Sequence, residues 1–189
     1  MPEPETVGSA AEHEVSAAEP GEPEAREPEA TPLLTPRDGV PKVAVSHYEI
    51  AGAAEFLASG TGPFAVDAER ASGFRYSNRA YLVQIRRAGA GTVLIDPVSH
   101  GRDPLAVMAP VAEVLATDEW VLHAADQDLP CLAEIGMRPT TLYDTELAGR
   151  LANFDRVNLA AMVQQLLGLQ LMKGHGAADW FKRPLPDDW

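Results

Sequence analysis

The chain has 189 residues, 46% hydrophobic and 23% charged, and its 15 Lys and Arg stand against 28 Asp and Glu for a formal net charge of -13, enough chain for one domain and little more. No stretch nears the roughly 20 apolar residues of a membrane span, and the N-terminus lacks the basic and apolar regions of a secretory signal, so a soluble, cytoplasmic protein is expected. A single cysteine, Cys131, excludes an internal disulfide, and no CxxC or clustered Cys/His spacing suggests a structural zinc; beside Leu129 and Leu132 it reads as a buried free thiol.

The charge is uneven along the chain. Residues 1–36 hold nine Glu, no Asp, one Arg and seven of the 16 prolines, a net charge of -8, and such a composition cannot bury enough apolar surface to offset the entropy of ordering. They are expected to form a disordered acidic arm. Residues 37–189 net only -5 and alternate short apolar runs with amphipathic stretches, as an α/β domain does. Val43–Val45 is a short strand, and His47–Ser59 places Ile50, Ala54 and Leu57 on one helical face until Gly60 and Gly62-Pro63 stop it. Phe64–Glu69, Ala80–Arg87 and Gly91–Asp96 follow as three closely spaced strands, an antiparallel meander. Then come a helix over 103–115, a strand Trp120–His123, a helix opening near Asp126, and helical text over 144–152 and 158–167. Arg86 and Arg87 end a strand and are read as solvated, Trp180 as a core anchor, and His175 as a loop residue. The order of elements resembles the mixed sheet of an RNase H-like fold.

Asp67 and Glu69 lie in PFAVDAER at the end of an apolar strand, and the strand period of two turns both carboxylates the same way. Two like charges on one face raise each other's proton affinity, and a divalent cation between them relieves this. Hard oxygen donors without a Cys/His cluster point to Mg²⁺ or Mn²⁺; the plainer alternative is a solvated strand end in which Asp67 caps a turn. In LHAADQDLPCL a strand runs into a helix, where α/β folds assemble sites. Asp126 is expected to cap that helix and Asp128, two residues into it, to project toward Asp67 and Glu69. His123 either completes the strand or orients a ligand.

These blocks, VDAE and LHAADQDL, resemble two motifs of ribonuclease D and the wider DEDD class of 3'-5' exonucleases. ERASGFRYSNRAYLVQI, LYDTELAGRL and ADWFKRPL also fit, so the resemblance spans about residues 43 to 189. It implies a metal-dependent exoribonuclease acting on RNA 3' ends, such as structured RNA or tRNA precursors, although RNA and DNA exonucleases of this class share the metal motifs. It further implies Asp67, Glu69 and Asp128 as catalytic metal ligands for two Mg²⁺ or Mn²⁺ ions. The segment after Glu69 supplies Arg70, Phe74, Arg75, Tyr76 and Arg79, which with His123 are expected to contact the nucleic acid: arginines fork onto phosphates and aromatics stack on unpaired bases. In the family a third motif, a tyrosine and four residues later a fourth metal-binding aspartate, follows the W-x-x-RPL segment. The sequence stops at Trp189, with Asp187 and Asp188 read as capping residues, so the domain is expected to be incomplete at its C-terminus and impaired in activity. The alternative is a noncatalytic RNA-binding or protein-interaction remnant of the same fold.

Overall fold

The computed structural model describes residues 30–71, 78–101, 103–172 and 179–186. Val43–Ala44 (β2) leads into His47–Ala58 (α1), whose start is written in the sequence. The Ser46 hydroxyl accepts from the Glu49 N–H while the Glu49 carboxylate accepts from the Ser46 N–H, a reciprocal capping box. Thr61–Arg70 (β3), Ala80–Ala88 (β4) and Gly91–Ile95 (β5) form the expected meander. Pro104–Leu115 (α2) opens with Asp103 as N-cap and Pro104 in the first turn, where its missing N–H costs nothing. Trp120–Leu122 (β6), Leu129–Glu134 (α3), Leu142–Asp144 (β7), Thr145–Leu151 (α4) and Leu159–Leu167 (α5) complete the main body.

Six of the strands make one mixed sheet in the order β2-β5-β4-β3-β6-β7, antiparallel along the meander and parallel toward both edges. Alternation along β3 buries Phe64, Val66 and Ala68 on the face that meets α1 and α2, where Ile50, Leu57, Met108, Val111 and Leu115 close the core. Asp67 lies opposite Gln84 and Glu69 opposite Leu82, so both carboxylates project from the other face. There a smaller apolar cluster gathers Ala71, Tyr81, Leu82 and Trp180, and Trp180 is the core anchor expected of it. Cys131 is fully buried, with its thiol pushed up to about 12 by burial and then by the charge of Asp128.

Four expectations need correction. Residues 31–33, inside the span expected to be a disordered arm, form a strand: Thr31–Leu33 (β1) pairs in parallel with Leu169–Leu171 (β8). Asp144, expected to open helical text, instead ends Leu142–Asp144, the edge strand beside β6, and the helix starts at Thr145. Asp126 does not cap the helix: residues 124–128 form a turn, and Asp128 stands just before α3 at the N-cap position without making a cap bond. Arg87 is not solvated but 8% exposed. Its guanidinium donates to the Leu57 and Gly62 carbonyls, pairs with Asp118 at 3.1 Å and lies 4.1 Å over the Phe64 ring. Because α1 has no basic residue in its last turn, Arg87 supplies from the sheet the cation that a helix C-terminus favours.

Candidate metal centre

Four chain segments wall one cavity of about 460 Å³: the end of β3 with Asp67, Glu69 and Arg70, the β6–α3 turn with His123, Ala124, Gln127 and Asp128, and the N-terminal ends of α4 and of α5 with Glu146 and Asn158. Asp67, Glu69 and Asp128, expected on one site from strand period and motif, are brought together there. Arg70 and His123 join them. Arg79 does not; it borders a separate hollow with Tyr81, Phe181 and Lys182. Phe74, Arg75, Tyr76 and His175 lie outside the described residues.

The electrostatics of the cavity are those of acids crowded without relief. Burial raises Glu69 to about 7, and the charges of Asp67 and Asp128 add to it, against a smaller pull from Arg70. Asp128 is raised to about 6, first by burial and then by Asp67. Asp67 remains open to solvent on one side, yet the cavity wall desolvates its carboxyl enough to raise it as well, while Gln84 donates to it at 3.1 Å. Repulsion between like charges in a partly dry cleft is what a bound cation relieves.

The turn that carries Asp128 is tied to the start of α4. Ala124 sits at a φ of 54°, left-handed and uncommon for a residue with a Cβ. Its N–H and that of Ala125 both donate to the Asp144 carboxylate. Although partial burial pushes Asp144 up, the N–H donors of Ala125, Glu146, Leu147 and Ala124 together outweigh it and hold this acid below its ordinary range. The Thr145 hydroxyl donates to the Leu122 carbonyl at 3.1 Å, which commits its one proton. At 2.9 Å it must therefore accept from His123 Nδ1–H, and in the neutral ring this leaves Nε2 as an acceptor.

The donor chemistry fits a hard divalent cation: carboxylate oxygens, no thiolate, and the cavity's mutual repulsion. The arrangement is open, however, because among the described residues no three His, Cys, Asp or Glu groups stand close enough together to hold an ion. Asp67, Glu69 and Asp128 are the groups that could draw in around one. Glu146 and Asn158 were not anticipated. Glu146 pairs with Arg150 one helical turn on, and Asn158 caps α5 through the Ala161 N–H. Nothing local in the sequence tells that the two helix starts meet β3.

Known proteins agree with this architecture. Residues 45–189 match the family model described as 3'-5' exonuclease. Ribonuclease D of Bartonella henselae is 35% identical over 100 residues, covering 51% of this chain and 24% of the relative. A crystal structure of a protein from Bifidobacterium adolescentis superposes with a TM-score of 0.77 at 44% identity, over 85% of this chain and 39% of that one. The catalytic core of RRP6 from Trypanosoma brucei gives 0.66 at 25% identity, over 84% and 43%. The chain therefore belongs to the 3'-5' exonuclease domain family, with ribonuclease D among its relatives. It spans between about a quarter and a third of the ribonuclease D relatives it matches. Among the described residues no helix is long and apolar enough to cross a membrane.

Proposed function

We propose that this chain carries the nuclease site of a divalent-metal-dependent 3'-5' exoribonuclease, with Asp67, Glu69 and Asp128 holding Mg²⁺ or Mn²⁺. The observation that carries this reading is the convergence of three carboxylates from two separate segments on one cavity, where burial and mutual charge raise Glu69 and Asp128 well above ordinary acids. Acids kept in that state are a mark of functional sites. RNA as the substrate class is supported by the ribonuclease D relatives.

When bound, a divalent ion supplies charge neutralisation at the phosphodiester and activation of water for in-line attack. The chain's own groups hold and orient. The three carboxylates fix the ion's place at the end of β3, Arg70 presents a fork of N–H donors to a phosphate oxygen beside them, and the bare Nε2 of His123 accepts from a sugar hydroxyl. Phe74, Arg75, Tyr76 and Arg79 are the proposed contacts to the RNA strand beyond the terminal nucleotide.

The test uses 5'-labelled single-stranded RNA with a free 3'-hydroxyl. Stepwise shortening from the 3' end in millimolar Mn²⁺ is expected, abolished by chelation and by Asp67→Asn, while the substituted chain still binds RNA. Internal cleavage, or shortening that survives Asp67→Asn, would sink the assignment. A second reading, a noncatalytic RNA-binding domain of the same fold, is favoured by the open spacing of the carboxylates. It predicts RNA binding without shortening at any Mn²⁺ concentration.

A further inference from the structure

Asp144 ends β7 and precedes α4, and its one carboxylate serves two parts of the chain. Oδ1 accepts from the N–H groups of Glu146 at 2.8 Å and Leu147 at 3.4 Å, which caps its own helix. The same oxygen accepts from Ala124 at 3.1 Å, and Oδ2 accepts from Ala125 at 2.9 Å. Those last two amides belong to a different element, the turn between β6 and α3. Asp144 itself does not line the carboxylate cavity.

The turn it grips sets the place of Asp128. From Ala124 and Ala125 the chain closes on itself through Gln127 N–H to the Ala124 carbonyl at 2.9 Å and Asp128 N–H to the Ala125 carbonyl at 3.2 Å. Rotating Ala124 therefore swings the Asp128 carboxylate four positions on. Ala124 has a left-handed φ of 54°, a conformation that crowds the Cβ of an alanine, and it persists only where surroundings over-determine it. Both alanines are buried, so water does not compete for their N–H groups. Two consecutive bonds to an ionised carboxylate are stronger than neutral ones, and they supply the hold. Thr145, the next residue, acts in the same sense on His123 through its ring Nδ1.

We infer that Asp144 is a positioning residue of the metal centre: by clamping the amides of Ala124 and Ala125 it fixes the β6–α3 turn so that Asp128 faces Asp67 and Glu69. This rests on the proposed reading of the cavity as a metal site. Neighbours that hold metal ligands in place typically change metal affinity about 10–100-fold when altered.

The experiment is a Mn²⁺ titration of the full chain by calorimetry, with Asp144→Ala and Asp144→Asn beside the wild type and Asp128→Asn as the reference for a lost ligand. Far-UV circular dichroism and a cooperative melt establish which variants are folded at the titration temperature. Asp144→Ala is expected to stay folded and bind Mn²⁺ about 10–100-fold more weakly. Asp144→Asn should fall between it and the wild type, because its carbonyl can keep the Oδ1 bonds while its amide group confronts the Ala125 N–H. Loss of a helix cap alone would lower the melting temperature and leave Mn²⁺ affinity unchanged, so wild-type affinity in either folded variant overturns the inference. If Asp144→Ala does not fold, the isosteric Asp144→Asn decides. Absence of Mn²⁺ binding by the wild type is a different failure, since it removes the metal reading itself and the role of Asp144 with it.

Discussion

Asp96 and Asp128 are both buried acids, 1% and 9% exposed, yet their surroundings are opposite. Asp96, after β5, accepts from the Val98 N–H and the Ser99 hydroxyl, and Arg183 closes on it with two nitrogens. That arginine also donates to the Tyr81 and Trp180 carbonyls, so the ion pair fastens residues 179–186 to the back of the sheet. Asp128 occupies an N-cap position without using it, and its nearest charged company includes Asp67 and Asp126, offset only in part by Arg70. The fold satisfies one acid completely and leaves the other wanting. A buried acid with every partner in place is explained by folding; one without them asks for a ligand.

Substitution of Arg183 should give the largest effect and on stability alone. Arg183→Met strands the Asp96 carboxylate, and removing one member of a buried pair costs about 3–5 kcal/mol. The lower end is expected because a quarter of the Arg183 side chain reaches solvent. Urea denaturation measures the loss, and Mn²⁺ affinity of the folded variant should not change. A change in Mn²⁺ affinity would show that the two regions are coupled, which the comparison denies.

Substitution of Asp128 should run the other way. Asp128→Asn removes a charge that the metal-free fold holds at a penalty, and since each unit of pKa shift corresponds to about 1.4 kcal/mol, the variant should be about 1–3 kcal/mol more stable near pH 7.5 while losing Mn²⁺ affinity. The pH dependence carries the same sign. Asp128 and Glu69 protonate in the folded chain at about 6 and about 7, above their ordinary 3.8 and 4.5. Their contribution to stability is therefore fully present below about pH 4 and is lost as pH rises to about 7. The melting temperature of the metal-free chain should fall across that window, less so in Asp128→Asn, and added Mn²⁺ should restore it most above pH 7. A rising melting temperature over the same range would break the contrast.

How far the sequence could be read follows the range of the interactions involved. Strand alternation is local, so Asp67 and Glu69 could be placed on one face from PFAVDAER alone, and the VDAE and LHAADQDL blocks could be paired through a family pattern. Arg87 could not be placed: whether a strand-end arginine is solvated depends on the α1 C-terminus and Asp118, about 30 residues away on either side. The same holds for Thr31–Leu33, whose partner strand lies near residue 170, and for Glu146, which enters the cavity only because β7 pairs with β6. Asp126 was misplaced for a different reason. Its sequence context suits a helix start, but the left-handed Ala124 delays the helix to Leu129, and a left-handed alanine has no signature in sequence.

The smallest effect comes from a satisfied acid at the surface, which isolates the role of hydrogen bonding from that of burial. Glu49 is held down to about 2, first by the Ser46 N–H, then by the Ser46 hydroxyl, the Val45 N–H and Lys42. Like Asp144 it is an acid held by N–H donors, but unlike Asp144 it has almost no desolvation to oppose them. Removing the Ser46 hydroxyl by Ser46→Ala should cost about 1 kcal/mol through the lost N-cap, with no change at the carboxylate cavity on the far side of the sheet. Because the folded pKa of Glu49 is depressed, its contribution is present above the ordinary carboxylate range and is lost as pH falls toward about 2. That window lies below the one in which Glu69 and Asp128 act, so a single series of melts from pH 2 to 8 separates them. Stability should rise as Glu49 ionises and then fall as the cavity acids do, and Ser46→Ala should flatten only the first limb.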